Sequence, residues 1–142
     1  MDTYHILYED WQMQCCGIEF STGGTVRWPV AKWDTSWNDD WDLAFMQLSL
    51  GTVGYVYDAH SSKYEELSIV EGIVDKIYAI YASLEPHSTD SKMNIRLPRI
   101  AISVNHADGW DEDVDSYTFS SYFVILKDSV IRQATQTDIT FK

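Results

Sequence analysis

Cys15 and Cys16 stand side by side in the run Tyr8-Glu9-Asp10-Trp11-Gln12-Met13-Gln14-Cys15-Cys16-Gly17 and are the two cysteines of the chain. With His60, and with His5 or Asp10, they offer the sulfur, nitrogen and oxygen donors that zinc takes. Their spacing argues against a structural metal, since such sites usually separate cysteines by about two to four residues so that both sulfurs converge. In an extended segment, adjacent side chains point to opposite faces. The plainer expectation is one cysteine in the core and the other beneath a turn completed by Gly17, with no metal and no cofactor. Consecutive Cα atoms lie ~3.8 Å apart, short of the ~4.4–6.8 Å of an ordinary disulfide. The pair therefore does not staple the fold, and a reducing cytoplasm suits it.

A second chemistry is nucleophilic, with Cys15 or Cys16 attacking and His60 taking the proton. Thiolate formation calls for a nearby positive group or a helix N-terminus. Glu9, Asp10 and Glu19 are the neighbours instead, and they raise a thiol pKa. The third possibility is a carboxyl acid: Glu9 and Asp10 sit beside Trp11, and an aromatic wall can hold a carboxyl protonated near neutral pH. Acids alternate in Asp111-Glu112-Asp113-Val114-Asp115, but the EF-hand glycine position falls on Ser116 and the closing glutamate on Tyr122. Phosphate-cradling loops, Gly-x-Ser-x-Gly elbows and the zinc-protease helix motif are missing.

What remains is a texture rather than a motif. Between Trp33 and Asp42 three tryptophans (Trp33, Trp37, Trp41) alternate with four aspartates (Asp34, Asp39, Asp40, Asp42). A second acidic loop carries Trp110 beside Asp111 and Asp113. A protein that docks on a basic target uses tryptophans as anchors and carboxylates as a steering rim. The opposite reading makes these indoles core residues beneath a charged loop.

The bulk numbers point the same way. Ten basic residues face 22 acidic ones, for a net charge of −12. Residues 1–71 hold 12 acids and 3 bases, so the imbalance is concentrated in the first half. Such a surface repels nucleic-acid backbones and anionic membranes and speeds encounter with a basic protein. At 142 residues there is room for one domain, 1–142, and the 45% hydrophobic content suffices for a core. No signal-peptide pattern opens the chain, and no apolar run reaches the ~20 residues of a membrane span.

Short β-prone runs must position these groups. Residues 3–8 read as a first strand, 9–24 as a long connection ending at Gly23-Gly24, and 25–30 as a second strand closed by Pro29. Asn38 suits the cap of a short helix in which Trp41, Phe45 and Leu48 share a face. Val53, Tyr55 and Tyr57 alternate as a strand. Residues 67–84 fit a helical stripe (Ile69, Ile73, Ile77, Ile80, Leu84), but Gly72 and the β-branched and aromatic content favour a strand. Residues 85–93 and 105–115 read as loops, Ile100 to Val104 and Tyr117 to Leu126 as strands, and the tail from Asp128 as a short last element. The fold expected is mostly β: a small, partly open barrel of the SH3/OB kind with at most one or two short helices.

The opening run, with Phe20, Gly23 and Val26-Arg27-Trp28, resembles the signature of an uncharacterised bacterial domain family. That signature has an Asp-Trp-Gln-Met, Cys-Cys-Gly opening followed by Phe, Gly and Val-x-Trp. Tyr57-Asp58-Ala59-His60, Gly72 to Ile77 and Ser121 to Leu126 continue the likeness over most of the chain. The resemblance implies a compact β-rich domain in which Asp10, Trp11, Cys15, Cys16, Gly17 and Trp28 form the structural motif, and the Gly72 segment is a barrel strand. It implies no reaction. Ile18-Glu19 stands where the family pattern carries a proline. The function expected is binding to a basic protein, as an immunity protein or inhibitor does. The alternative is a metal- or thiol-dependent enzyme centred on Cys15, Cys16 and His60.

Overall fold

β1 (Asp2–Glu9), β3 (Thr25–Lys32), β4 (Tyr55–Tyr57), β5 (Leu67–Pro86) and β8 (Thr118–Gln133) close into a barrel in the order β3-β4-β1-β8-β5, with β3 returning to pair with β5. These elements come from a computed structural model, which describes residues 2–34, 39–61, 63–86, 92 and 94–139, with Cys16 and Ile139 described by backbone alone. β6 (Asn94–Val104) lies outside the barrel on β5, and β2 (Phe20–Ser21) with β7 (His106–Ala107) forms a two-stranded ribbon. Three short helices complete the described chain: α1 (Asp10–Cys16), α2 (Asp39–Gln47) and α3 (Gln136–Ile139). The expected mostly β barrel is present. It is closed rather than partly open, and it has one helix more than expected.

β5 is the spine. One edge pairs with β8 from Ser68 to Ala82, and the other pairs first with β3 (Ala31↔Leu67 to Thr25↔Ile73) and then with β6 (Ile77↔Val104 to Pro86↔Asn94). Its near-continuous apolar run follows from burial on both faces. Val70, Val74, Ile77, Ala79 and Tyr81 join the interior cluster, while Ile80 turns outward to a second cluster with Leu7, Phe45, Val53 and Phe123. A strand covered on both sides loses the alternation of a half-exposed one, and this is why its sequence also fits a helical stripe.

Aromatic rings fill the barrel. Tyr8 stacks on Tyr57 at 3.9 Å between ring centres, and Trp28 stands edge-on to Tyr8 at 5.2 Å. α2 packs Phe45, fully buried, against Phe123 on the outer wall of the barrel.

Several sequence-based boundaries move. The connection expected over 9–24 contains α1 and β2, because α1 is too short to show a period and, among its described side chains, buries Gln12 and Met13. β7 interrupts the loop expected over 105–115. β3 runs past Pro29 to Lys32, and the proline, opposite Ile69, offers its carbonyl to Asp58 N at 3.0 Å. β8 likewise runs through Asp128 to Gln133, and α3 follows. Asp138 fastens that end: it takes two bonds from Arg132, one from Arg27 and two from Thr135, and the Arg132 bonds first of all hold its carboxyl far below the usual range. Asn38 lies outside the described residues. No helix among the described residues is long and apolar enough to cross a membrane.

Candidate functional site

α1 leaves β1 without a loop, and its inner face decides what its outer face presents. Met13 enters the barrel core and Gln12 is 3% exposed. The helix stops at Gly17, whose N–H donates to Met13 O at 3.1 Å. A Cβ there would lie 2.5 Å from both Met13 Sδ and the Tyr8 hydroxyl, so only glycine lets the chain leave so close to the core.

Gln12 organises the site. Its Nε2 donates to Tyr57 O at 3.2 Å, and its Oε1 accepts from Ala59 N at 3.3 Å. A backbone acceptor and a backbone donor together fix which way the amide faces. Oε1 then lies 2.8 Å from His60 Nδ1, so Nδ1 carries the ring proton and donates it. The other ring nitrogen is left as the acceptor, and Cys15 Sγ lies 3.2 Å from it. Asp58 steadies the His60 backbone by accepting from His60 N and Ser61 N, both at 3.0 Å. Trp11 covers the imidazole, ring centres 4.9 Å apart, and donates Nε1–H to Glu9 Oε2 at 3.3 Å. Burial pushes the Glu9 carboxyl up from its ordinary range, against the pull of that indole bond.

The result is a thiol, a base oriented to receive its proton, and a buried amide that holds the base. Cys15 and His60 are both exposed, so a dissolved molecule can reach them. This arrangement meets the geometric requirement for nucleophilic catalysis, in which a third group sets the base. Sequence reasoning nominated Cys15 and His60 but gave Gln12 no role. The available signal was a helical one: Gln12 and Cys15 are three residues apart and share a face once residues 10–16 coil.

The other candidates are dispersed. The Cys16 side chain lies outside the described residues. His5 Nδ1 is 3.0 Å from Thr52 O, and its ring packs on Phe123. Asp10 pairs with Arg96 at 3.0 Å. No group of three or more His, Cys, Asp or Glu side chains suited to a metal occurs among the described residues.

The acidic aromatic residues fall into separate places. Trp33, half-buried, donates to Asp42 Oδ1 at 2.8 Å and packs with Trp41 in the α2 cluster. Asp34 and Asp39 are exposed, Asp40 is half-buried, and Asp39 Oδ1 accepts from Asp40 N. Trp37 lies outside the described residues. Trp28 is in the barrel core. Trp110 is 67% exposed, on a loop whose acids build the loop itself. Asp108 accepts from Trp110 N at 2.8 Å, Asp111 from the Tyr122 hydroxyl at 2.8 Å, and Asp113 from Phe119 N at 3.0 Å. Gln14 ties that loop to α1 through Gly109 O at 2.8 Å.

No characterised protein and no solved structure is detectably similar to the chain. One family model, described as a family of unknown function (DUF6578), matches residues 2–128. That match takes in α1, His60, the barrel strands β1, β3, β4 and β5, and β8 as far as Asp128, and the protein belongs to this family.

Proposed function

We propose that the protein is a thiol-dependent catalyst of acyl transfer or hydrolysis, with Cys15 as nucleophile, His60 as general base and Gln12 as positioning residue. The observation that carries this reading is the unbroken relay from two backbone groups through Gln12 Oε1 and His60 to Cys15 Sγ, with bonds of 2.8 and 3.2 Å. His60 Nε2 takes the thiol proton as sulfur bonds to the substrate carbonyl carbon. The same proton passes to the leaving group as its bond to carbon breaks. His60 then deprotonates a water whose oxygen bonds to the thioester carbonyl carbon as the carbon–sulfur bond breaks, and the imidazolium returns the proton to sulfur.

An activated ester tests this directly. With p-nitrophenyl acetate, the protein releases a burst of about one p-nitrophenolate per chain, and mass spectrometry finds an acetyl group on the 15–16 peptide. Cys15→Ala loses the burst and Cys16→Ser keeps it. A burst that survives Cys15→Ala overturns the reading.

A second reading rests on Trp110, too exposed to be a core residue. Net charge −12 and this indole suit docking on a basic protein, in the manner of an immunity protein or inhibitor of a bacterial toxin. Its mark is a complex that weakens with salt and is lost in Trp110→Ala. Both readings fit a bacterial cytoplasm, where the adjacent thiols stay reduced.

A further inference from the structure

A cavity of about 300 Å³ opens beside the start of α1, lined by Leu7, Glu9, Asp10, Trp33, Trp41 and Arg96 together with Ile95 and Ser120. Neither Cys15 nor His60 is among these lining residues, and the cavity adjoins their site only through Glu9, which accepts from the Trp11 indole that covers His60. Two half-buried indoles, tilted at 49° with centres 6.3 Å apart, make its aromatic wall.

Several of the hydrogen-bond donors around this cavity are already engaged. Trp33 Nε1 donates to Asp42, Ser120 Oγ to Ile80 O, and Arg96 Nη2 to both Asp10 Oδ2 and Phe119 O. A carboxylate ligand would therefore meet a guanidinium already paired with Asp10. Two carboxylates, Glu9 and Asp10, share this cavity with one guanidinium: Arg96 bonds Asp10 at 3.0 Å, whereas Glu9 bonds the neutral Trp11 indole and feels Arg96 only as a weaker pull through space. The enclosure of Glu9 raises the cost of its charge, and a cation brought into the cavity removes that cost. Indole faces bind cations through the ring quadrupole and bind apolar bodies by contact. The overall negative charge steers the same class of ligand.

We propose that this cavity is a binding site for a small organic cation, an ammonium or guanidinium group on an apolar body, held by the Glu9 carboxylate against Trp33 and Trp41. Benzylamine, benzyl alcohol and benzoate, of nearly one shape and three charges, are the probes. Binding is followed by the indole N–H resonances in ¹⁵N-labelled protein, since each tryptophan reports separately. Benzylamine is expected to shift the Trp33 and Trp41 signals saturably and to bind at least about tenfold more tightly than the other two. Glu9→Gln, with its stability checked by denaturation, should abolish that preference while benzyl alcohol binding stays unchanged. Equal binding of amine and alcohol, shifts confined to other indoles, no binding at all, or a preference that survives Glu9→Gln would each overturn the proposal.

Discussion

Gly72→Val should cost the fold about 3 kcal/mol, at the upper end of what overpacked sites lose. Gly72 is buried on β5 where β8 carries one extra residue: Glu71 pairs with Val130, but Ile73 pairs with Lys127. The bulge is set by Asp128 at φ +50°, and it turns Ser129 inward until Ser129 is 1% exposed. A Cβ on residue 72 would lie 1.9 Å from Ser129 Oγ and 2.8 Å from Ser129 Cβ. Rotating the hydroxyl away relieves only the first contact and sacrifices its bond to Lys127 O. The second requires β5 and β8 to part at a point where β3 also hangs on β5 through Val26↔Gly72. Chemical denaturation of Gly72→Ala, Gly72→Val and Gly72→Ala/Ser129→Gly checks this. The double variant should recover most of the alanine loss, because the clash partner is gone. If Gly72→Ala stays within about 0.5 kcal/mol of the parent, this account of the closure is wrong.

Removing His60 should slow alkylation of Cys15 near neutral pH by about tenfold, inside the roughly 30-fold ceiling set by an ordinary thiol's few per cent of thiolate. The Gln12 variants then separate holding the base from holding the fold. Gln12→Leu withdraws the acceptor from His60 Nδ1 and removes the Gln12 bonds to the half-buried Ala59 N–H and the buried Tyr57 carbonyl. It should lose both reactivity and about 1–3 kcal/mol of stability. Gln12→Glu keeps an oxygen for Ala59 N and His60 Nδ1 but sets its other oxygen against the Tyr57 carbonyl. Reactivity should be retained while stability falls. If Gln12 were merely a core residue, both variants would lower stability without moving the reactivity of Cys15.

The barrel was legible in the sequence because its strands are rich in β-branched and aromatic residues and are parted by glycine- and aspartate-bearing turns. β5 shows the limit. Its covering by the barrel interior on one face and by Phe45 and its neighbours on the other erased the period that distinguishes strand from helix. At the site, Cys15 and His60 could be named from residue type. The assumption that residues 9–24 are extended, however, sent the two cysteines to opposite faces and hid the helix that brings Gln12 beneath Cys15. Trp33 and Trp110 look alike in sequence, each an indole among aspartates. One is half-buried through its bond to Asp42 and the α2 cluster, while the other is left in solvent by a loop that spends carboxylates on its own backbone and on β8. Composition reports the charges but not which of them are already bonded.

The relay from Gln12 through His60 to Cys15 is tested most directly by the pH dependence of iodoacetamide alkylation of Cys15, measured in the Cys16→Ser protein with and without His60→Ala. With the imidazole present, the rate should show an additional limb below the range of an ordinary thiol (~8.5), from the imidazolium–thiolate pair. His60→Ala should leave a single rise in the ordinary range. Superimposable profiles would mean that the 3.2 Å contact between Cys15 and His60 moves no proton, which would contradict the relay.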